Sequence, residues 1–193
     1  RRERRGAKGR TQEIERLVAR SLRAAVDLEE LGPIALNVDC DILNADGGTR
    51  CASITAANLA LRLGVRRLIA AGICLPQNMR PTEEQRRSGW SAPVLSGDEK
   101  KAHEMRVMPH DVAAISVGLI DGKSYLDLDY NLDSNADVDM NVVKVSDGSF
   151  VEVQGTGEEA TYQREELDAL LDMADIGFSS LFEMQKSILD GQE

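Results

Sequence analysis

The sequence predicts an α+β fold, a mixed or antiparallel sheet packed with helices. Three observations carry that prediction. Apolar residues recur at helical spacing in two segments of the first 70 residues, hairpin signals at Asp121-Gly122 and Ser146-Asp147-Gly148-Ser149 separate β-rich runs, and helical spacing returns at the C-terminal end.

Thr11 supplies an N-cap hydroxyl, and Glu13 and Glu15 place carboxylates at the positive end of a helix dipole. Ile14, Leu17, Val18, Leu22, Ala25 and Val26 then follow the helical period, so a helix is expected over roughly 12–30, ended by Gly32-Pro33. From Ile34 the period changes to two. Ile34, Leu36, Val38, Cys40 and Ile42 alternate with Asn37, Asp39 and Asp41, the pattern of a half-buried strand.

A second helix is expected over about 52–70, with Ile54, Ala57, Leu61, Val65, Leu68 and Ile69 inward. Residues 72–109 hold several prolines, glycines and charges, and read as a long loop or insertion anchored by Trp90. Val112–Ile120 and Ser124–Tyr130 flank Asp121-Gly122 as hairpin strands, and Met140–Val145 and Phe150–Val153 flank the second turn. Gln163 to Ile188 reads as one or two helices.

The chain has 193 residues, 42% of them hydrophobic, which suffices to bury the core of a single domain. Cys40, Cys51 and Cys74 form neither a disulfide framework nor a zinc pattern, no apolar run approaches a membrane span, and no signal peptide is visible. A soluble protein of the reducing cytoplasm is expected. The net charge of −10 opposes binding to nucleic acid, but its distribution does not. Residues 1–23 carry nine Arg and Lys against three Glu, a local balance of +6, so the remainder carries −16. A basic arm is joined to an acidic body.

Two groups of residues are suited to chemistry. Asp46-Gly47-Gly48-Thr49-Arg50 joins the expected strand to the expected helix. Glycine amides, a helix N-terminus, a hydroxyl and a guanidinium together resemble a phosphate cradle, although a tight turn that simply needs glycine fits the local pattern slightly better. Neither Walker spacing nor a GxGxxG fingerprint is present. The second group is Asp127, Asp129, Asp133, Asp137 and Asp139. Solvation accounts for Asp127 and Asp129, whereas Asp133, Asp137 and Asp139 flank a turn and would suit a hydrated Mg²⁺ or a solvated acidic loop.

Several long motifs then occur together. Gly9-Arg10-Thr11, the run Asp39-Cys40-Asp41-Ile42-Leu43-Asn44-Ala45-Asp46-Gly47-Gly48-Thr49-Arg50, Leu126-Asp127-Leu128-Asp129-Tyr130 with Asp133-Ser134, Asp139-Met140-Asn141-Val142-Val143 and Phe150-Val151-Glu152-Val153-Gln154-Gly155-Thr156 closely resemble bacterial RNase PH, in the same order. The resemblance covers nearly the whole chain outside 72–109. It implies a ribosomal protein S5 domain 2-like fold (the RNase PH fold), a homo-oligomeric hexameric ring, and phosphorolysis of RNA such as tRNA 3′ ends, in which inorganic phosphate releases nucleoside diphosphates.

Carried onto this sequence, the resemblance implies that Arg10, Gly48, Thr49 and Arg50 bind phosphate. It implies that Asp133 and Asp139 are the catalytic and Mg²⁺-associated pair, with Asp139 either a general acid or a metal ligand. In the same picture Arg1, Arg2, Arg4, Arg5 and Lys8, within the basic arm 1–10, grip the RNA backbone. The chain departs from the family in three ways. Family members carry a further stretch before the arm that supplies strands, so the fold is expected to be N-terminally incomplete; 72–109 is longer than usual; and Cys51 stands where threonine is common. Two rival readings follow. One is a noncatalytic RNA-binding or structural ring subunit, or an inactive fragment, which gives Arg10, Thr49, Arg50, Asp133 and Asp139 no joint use. The other is a small acidic metal-binding protein, which leaves the Gly-Gly-Thr-Arg turn idle.

Overall fold

The structure is a computed structural model that describes residues 9–157 and 160–191. In chain order it contains α1 (Gly9–Ala24), α2 (Leu28–Leu31), α3 (Thr49–Ala70), a 3₁₀ turn at Gln77–Met79, α4 (Glu83–Arg87) and α5 (Gly97–Val107). The second half holds β1 (Val112–Ile120), β2 (Lys123–Leu126), α6 (Tyr130–Asp133), β3 (Val138–Val145), β4 (Phe150–Gly157) and α7 (Arg164–Asp190). The strands form one antiparallel sheet in the order β2-β1-β3-β4. No helix among the described residues is long and apolar enough to cross a membrane.

The two central strands, β1 and β3, are buried on both faces, and the strand period decides which residue meets which helix. Ala113, Ile115, Val117 and Leu119 of β1, with Val138, Met140 and Val142 of β3, pack against Leu170, Ala174 and Phe178 of α7. The alternate residues Val112, Ala114, Val143 and Val145 share a core with Cys51, Ile54, Ala57, Leu61 and Val65 of α3 and with Leu17, Val18 and Leu22 of α1. Each such fully buried Leu, Ile or Phe contributes roughly 1.5–3 kcal/mol, so the two cores hold the sheet between α3 and α7.

The expected hairpins are present. Ile120 pairs with Lys123 across Asp121 and Gly122, both at positive φ (50° and 70°), a two-residue turn whose twist matches the strands. Differences from the sequence reading have local causes. The helix expected over 12–30 starts by Gly9 and stops at Ala24, so Thr11 lies inside it rather than capping it; Asp27 then caps the separate short α2, accepting from the amides of Glu29 and Glu30. The run Ser124–Tyr130 is a strand only to Leu126, because Asp127 turns into the left-handed region (φ 55°) and Asp129 caps α6 through the Leu132 amide.

Residues 34–42 do not form the expected strand. Period two orients side chains, but a strand also needs a neighbour to take its amides, and no described strand lies beside this segment. Ile34 and Leu36 still pack on the α1–α3 core, while Val38 and Ile42 stay exposed. With α1 and the start of α3 the segment bounds an apolar groove of about 760 Å³ that ends at Thr49 and Arg50.

The stretch 72–109 is not a plain loop, since it contains α4 and α5. Polar groups dock α5. Glu104 receives Arg62 and Arg66 of α3 at 3.1 and 2.9 Å, and fully buried His103 sits 3.6 Å from the Cys74 thiol and 3.7 Å from Glu30 of α2.

Candidate active site

The face of the sheet under α3 carries polar residues where α3 begins. The register sets Ser116 opposite Asn141, and Asn141 opposite Gln154; the next row on the same face is Gly118, Asp139 and Thr156. Cys51, in the first turn of α3, donates its thiol to Asn141 Oδ1 at 3.1 Å. The helix start is therefore seated on the Ser116–Asn141 row. Asp139, two residues from Asn141, stands about 6.6 Å further along the strand.

The glycines are required by close approach. A Cβ on Gly47 would lie 1.9 Å from the Leu128 carbonyl oxygen, and Gly48, at φ 66°, leaves room only to Ser116 Oγ at 3.3 Å and Asp127 Oδ1 at 3.8 Å. The 128–130 segment is itself tied to the turn. Ser116 Oγ accepts from the Leu128 amide at 3.1 Å, and Asp46 Oδ1 accepts from the amides of Gly47 at 3.0 Å and Tyr130 at 2.7 Å. Gly48 supplies no side-chain cap to the first amides of this 22-residue helix, whose N-terminus carries a partial positive charge.

Arg50 is three-quarters buried and pairs through Nη2 with Glu13 of α1 at 3.4 Å. Its Nε is buried without a partner. A buried, unpaired guanidinium donor beside an uncapped helix N-terminus is the arrangement an oxyanion completes, and the donor set fits inorganic phosphate. The same groups act on the Cys51 thiol. Burial, followed by the negative charges of Asp139 and Asp127, pushes the Cys51 thiol up to about 12, with Arg50 opposing them.

The expected site residues divide as follows. Gly48, Thr49 and Arg50 share the α3 start, and Asp139 stands on the strand beneath it. Arg10 lies exposed in the first turn of α1, three residues before Glu13 and hence on the helix side that meets Arg50. Asp133 ends α6, about 4.5 Å of helical rise from the Tyr130 amide that Asp46 holds. Arg1, Arg2, Arg4, Arg5 and Lys8 lie outside the described residues.

Asp137 does not join the acidic pair, because its Oδ2 accepts from the Asp121 amide at 2.9 Å in the β1–β2 turn. Among the described residues no group of three or more His, Cys, Asp or Glu side chains converges on a metal position. The oxygen-only character of Asp133 and Asp139 still suits Mg²⁺, which commonly takes one or two carboxylates together with phosphate oxygens and water.

Sequence reasoning assigned no site role to Glu13, Ser116 or Asn141, and it read Asp127 as a solvated carboxylate. Two signals were available: Ser116 is the one hydroxyl in the apolar run Val112–Ile120, and Glu13 follows Arg10 at helical spacing.

Residues 1–64 match the model of the 3′ exoribonuclease family, domain 1, and residues 110–177 match domain 2 of the same family. Ribonuclease PH of Synechococcus sp. is 44% identical over 178 residues, covering 92% of this chain and 60% of the relative. Ribonuclease PH of Corynebacterium diphtheriae is 48% identical over 183 residues, covering 95% and 64%. The chain thus spans less than two thirds of the length of these curated relatives.

Two solved structures share the fold. Rice (Oryza sativa) Rrp46 superposes with a TM-score of 0.58 at 12% identity, over 96% of this chain and 69% of its own. The Archaeoglobus fulgidus exosome with RNA bound to the active site gives 0.52 at 19% identity, over 89% and 60%. Both halves of the family's fold are matched in order, and the Gly-Gly-Thr-Arg turn of the first lies on the Asp139 strand of the second: the chain belongs to the RNase PH family of 3′ exoribonucleases.

Proposed function

We propose that this chain forms the phosphate-handling centre of a phosphorolytic 3′→5′ exoribonuclease, a tRNA nucleotidyltransferase acting on RNA 3′ tails. The observation that carries the reading is the buried, unpartnered Arg50 Nε at the uncapped start of α3, facing the strand that holds Asp139.

Phosphate and the RNA phosphodiester are both anions, so cationic groups must gather them before reaction. Arg50 and Arg10, with the Thr49 hydroxyl and the Gly48 amide, orient the phosphate. A phosphate oxygen attacks the phosphorus of the last internucleotide linkage, the bond from that phosphorus to the 3′ oxygen breaks, and the nucleoside leaves as its diphosphate. The departing 3′ oxygen gains a proton, which Asp139 would deliver if it does not instead hold a cation. Asp133 and Asp139 would hold Mg²⁺, which when bound offsets charge on the phosphate oxygens.

The basic arm, with Arg1, Arg2, Arg4, Arg5 and Lys8 just before Arg10, would hold the RNA backbone upstream. Ring assembly as a hexamer, tRNA as the preferred substrate and a cytoplasmic setting belong to the same proposal, by analogy with the relatives.

A short 3′-extended RNA incubated with purified chain, with and without phosphate, tests the reading. Phosphate-dependent release of nucleoside diphosphates is expected. Release of monophosphates without phosphate would replace phosphorolysis by hydrolysis, and RNA binding without release under either condition would favour the noncatalytic subunit.

A further inference from the structure

Three elements meet at one carboxylate. Glu13 of α1 pairs with Arg50 Nη2 of α3 at 3.4 Å and accepts from Gln154 Nε2 of β4 at 3.2 Å, both through Oε1. Gln154 is the register partner of Asn141, the residue that receives the Cys51 thiol one position beyond Arg50. A closed path therefore runs from Arg50 through Glu13, Gln154 and Asn141 to Cys51, and back to Arg50 along the backbone of α3. Arg10 is attached to this path, because it lies three residues before Glu13 on the same helix.

We infer that Glu13 is a positioning residue for phosphate binding: it fixes the Arg50 guanidinium and sets its distance from Arg10. The inference rests on the phosphate reading of the site and adds a residue to it.

The contact geometry supports positioning over simple charge neutralisation. At 3.4 Å the pair is longer than a tight charge-assisted bond, it engages one guanidinium nitrogen, and it leaves Nε idle. Glu13 therefore holds the fork from one side and leaves donors for an incoming anion. A guanidinium on a long, flexible stem recognises phosphate well only when its fork is held in one orientation.

Docking of α1 does not depend on this carboxylate. Arg20 pairs with Glu152 on β4, and Leu17, Val18 and Leu22 are buried in the α1–α3 core. Variants at Glu13 should consequently fold.

The test is calorimetric titration of the full chain with inorganic phosphate, for wild type, Arg50→Ala, Glu13→Ala and Glu13→Gln, each with its thermal midpoint in the absence of phosphate. Wild type is expected to bind and Arg50→Ala to lose binding. Glu13→Ala should weaken binding by about tenfold, the size of one lost oriented charged hydrogen bond. Glu13→Gln keeps an acceptor without the charge and should bind within about twofold of wild type or tighter. Thermal midpoints should agree among the four proteins, which a merely structural role would not allow.

Unchanged affinity in Glu13→Ala, with Arg50→Ala dead, would overturn the positioning role and leave the phosphate reading intact. Tighter binding in Glu13→Ala would make Glu13 a competing counter-ion and overturn it equally. Equal weakening in Glu13→Ala and Glu13→Gln would assign the effect to charge. No phosphate binding by wild type would remove the phosphate reading, and this inference with it.

Discussion

Asp46 Oδ1 accepts the Tyr130 amide at 2.7 Å and, at the same time, the amide of its neighbour Gly47 at 3.0 Å. One oxygen thereby joins the Gly-Gly turn at the start of α3 to the first turn of α6, and so brings the segment ending in Asp133 beside the turn. Asp46→Ala should cost about 1 kcal/mol, the usual worth of such bonds at an exposed site, and should speed hydrogen exchange selectively at Tyr130. Asp46→Asn, which keeps a carbonyl acceptor, should recover most of the protection. Unchanged exchange at Tyr130 in Asp46→Ala would contradict the tether.

Gly47 and Gly122 should respond differently to the same substitution. At Gly47 the new Cβ meets the Leu128 backbone oxygen at 1.9 Å, which cannot swing aside. At Gly122 nothing lies within 4 Å, and only the positive φ opposes a side chain. Gly47→Ala should therefore destabilise by about 3 kcal/mol or more, against about 1 kcal/mol for Gly122→Ala, as read from denaturant midpoints. Equal losses would place the close approach in error.

The raised Cys51 thiol makes a prediction about pH. Its folded value of about 12 lies above the ordinary 9.0, so the folded state retains this proton longer than the unfolded chain. The stability linked to the neutral thiol is whole below pH 9.0 and is lost as pH rises toward about 12. Wild type should lose stability more steeply across that window than Cys51→Ala. Near neutral pH a thiol reagent should modify exposed Cys40 and spare buried Cys51 and Cys74 in the folded protein.

Arg62 tests how α5 is held. It bonds Asp111 at 2.8 Å, Glu104 at 3.1 Å and the carbonyls of Met108 and His110 at 2.9 and 3.2 Å, with 5% of its side chain exposed. Arg62→Ala leaves Glu104 with Arg66 alone and Asp111 with Asn58 alone, strips the Met108 and His110 carbonyls of their donor, and should cost about 3 kcal/mol. Arg164→Ala, which breaks the exposed pair with Asp168, should cost under about 1 kcal/mol. Thermal denaturation of the two variants decides between these magnitudes.

The parts of the fold that were legible in the sequence are those set by local chemistry. Asp121-Gly122 specifies its own turn, and α3 and α7 carry enough apolar residues at helical spacing to be read directly. The segment 34–42 was misread because alternation orients side chains but says nothing about a lateral partner. The helix α5 was missed because its buried face is His103, Glu104 and Val107, which is nearly invisible to an apolar pattern. A signal was present, since Ser96 and Glu99 form a reciprocal capping box at its start.

In the candidate site, Thr49, Arg50 and Asp139 were visible through their motifs. Glu13, Ser116 and Asn141 were not, because their roles come from strand register and helix docking, which bring together residues far apart in sequence.

The central claim is that Arg50 and the start of α3 seat the phosphate that attacks RNA. Incubating a 3′-extended RNA with radiolabelled inorganic phosphate, and following the label, tests this most directly. Wild type should place the label in released nucleoside diphosphate, and Arg50→Ala should reduce that transfer by about 100-fold or more at an unchanged thermal midpoint. Undiminished transfer by Arg50→Ala, or release of nucleotides that carry no label, would contradict the account.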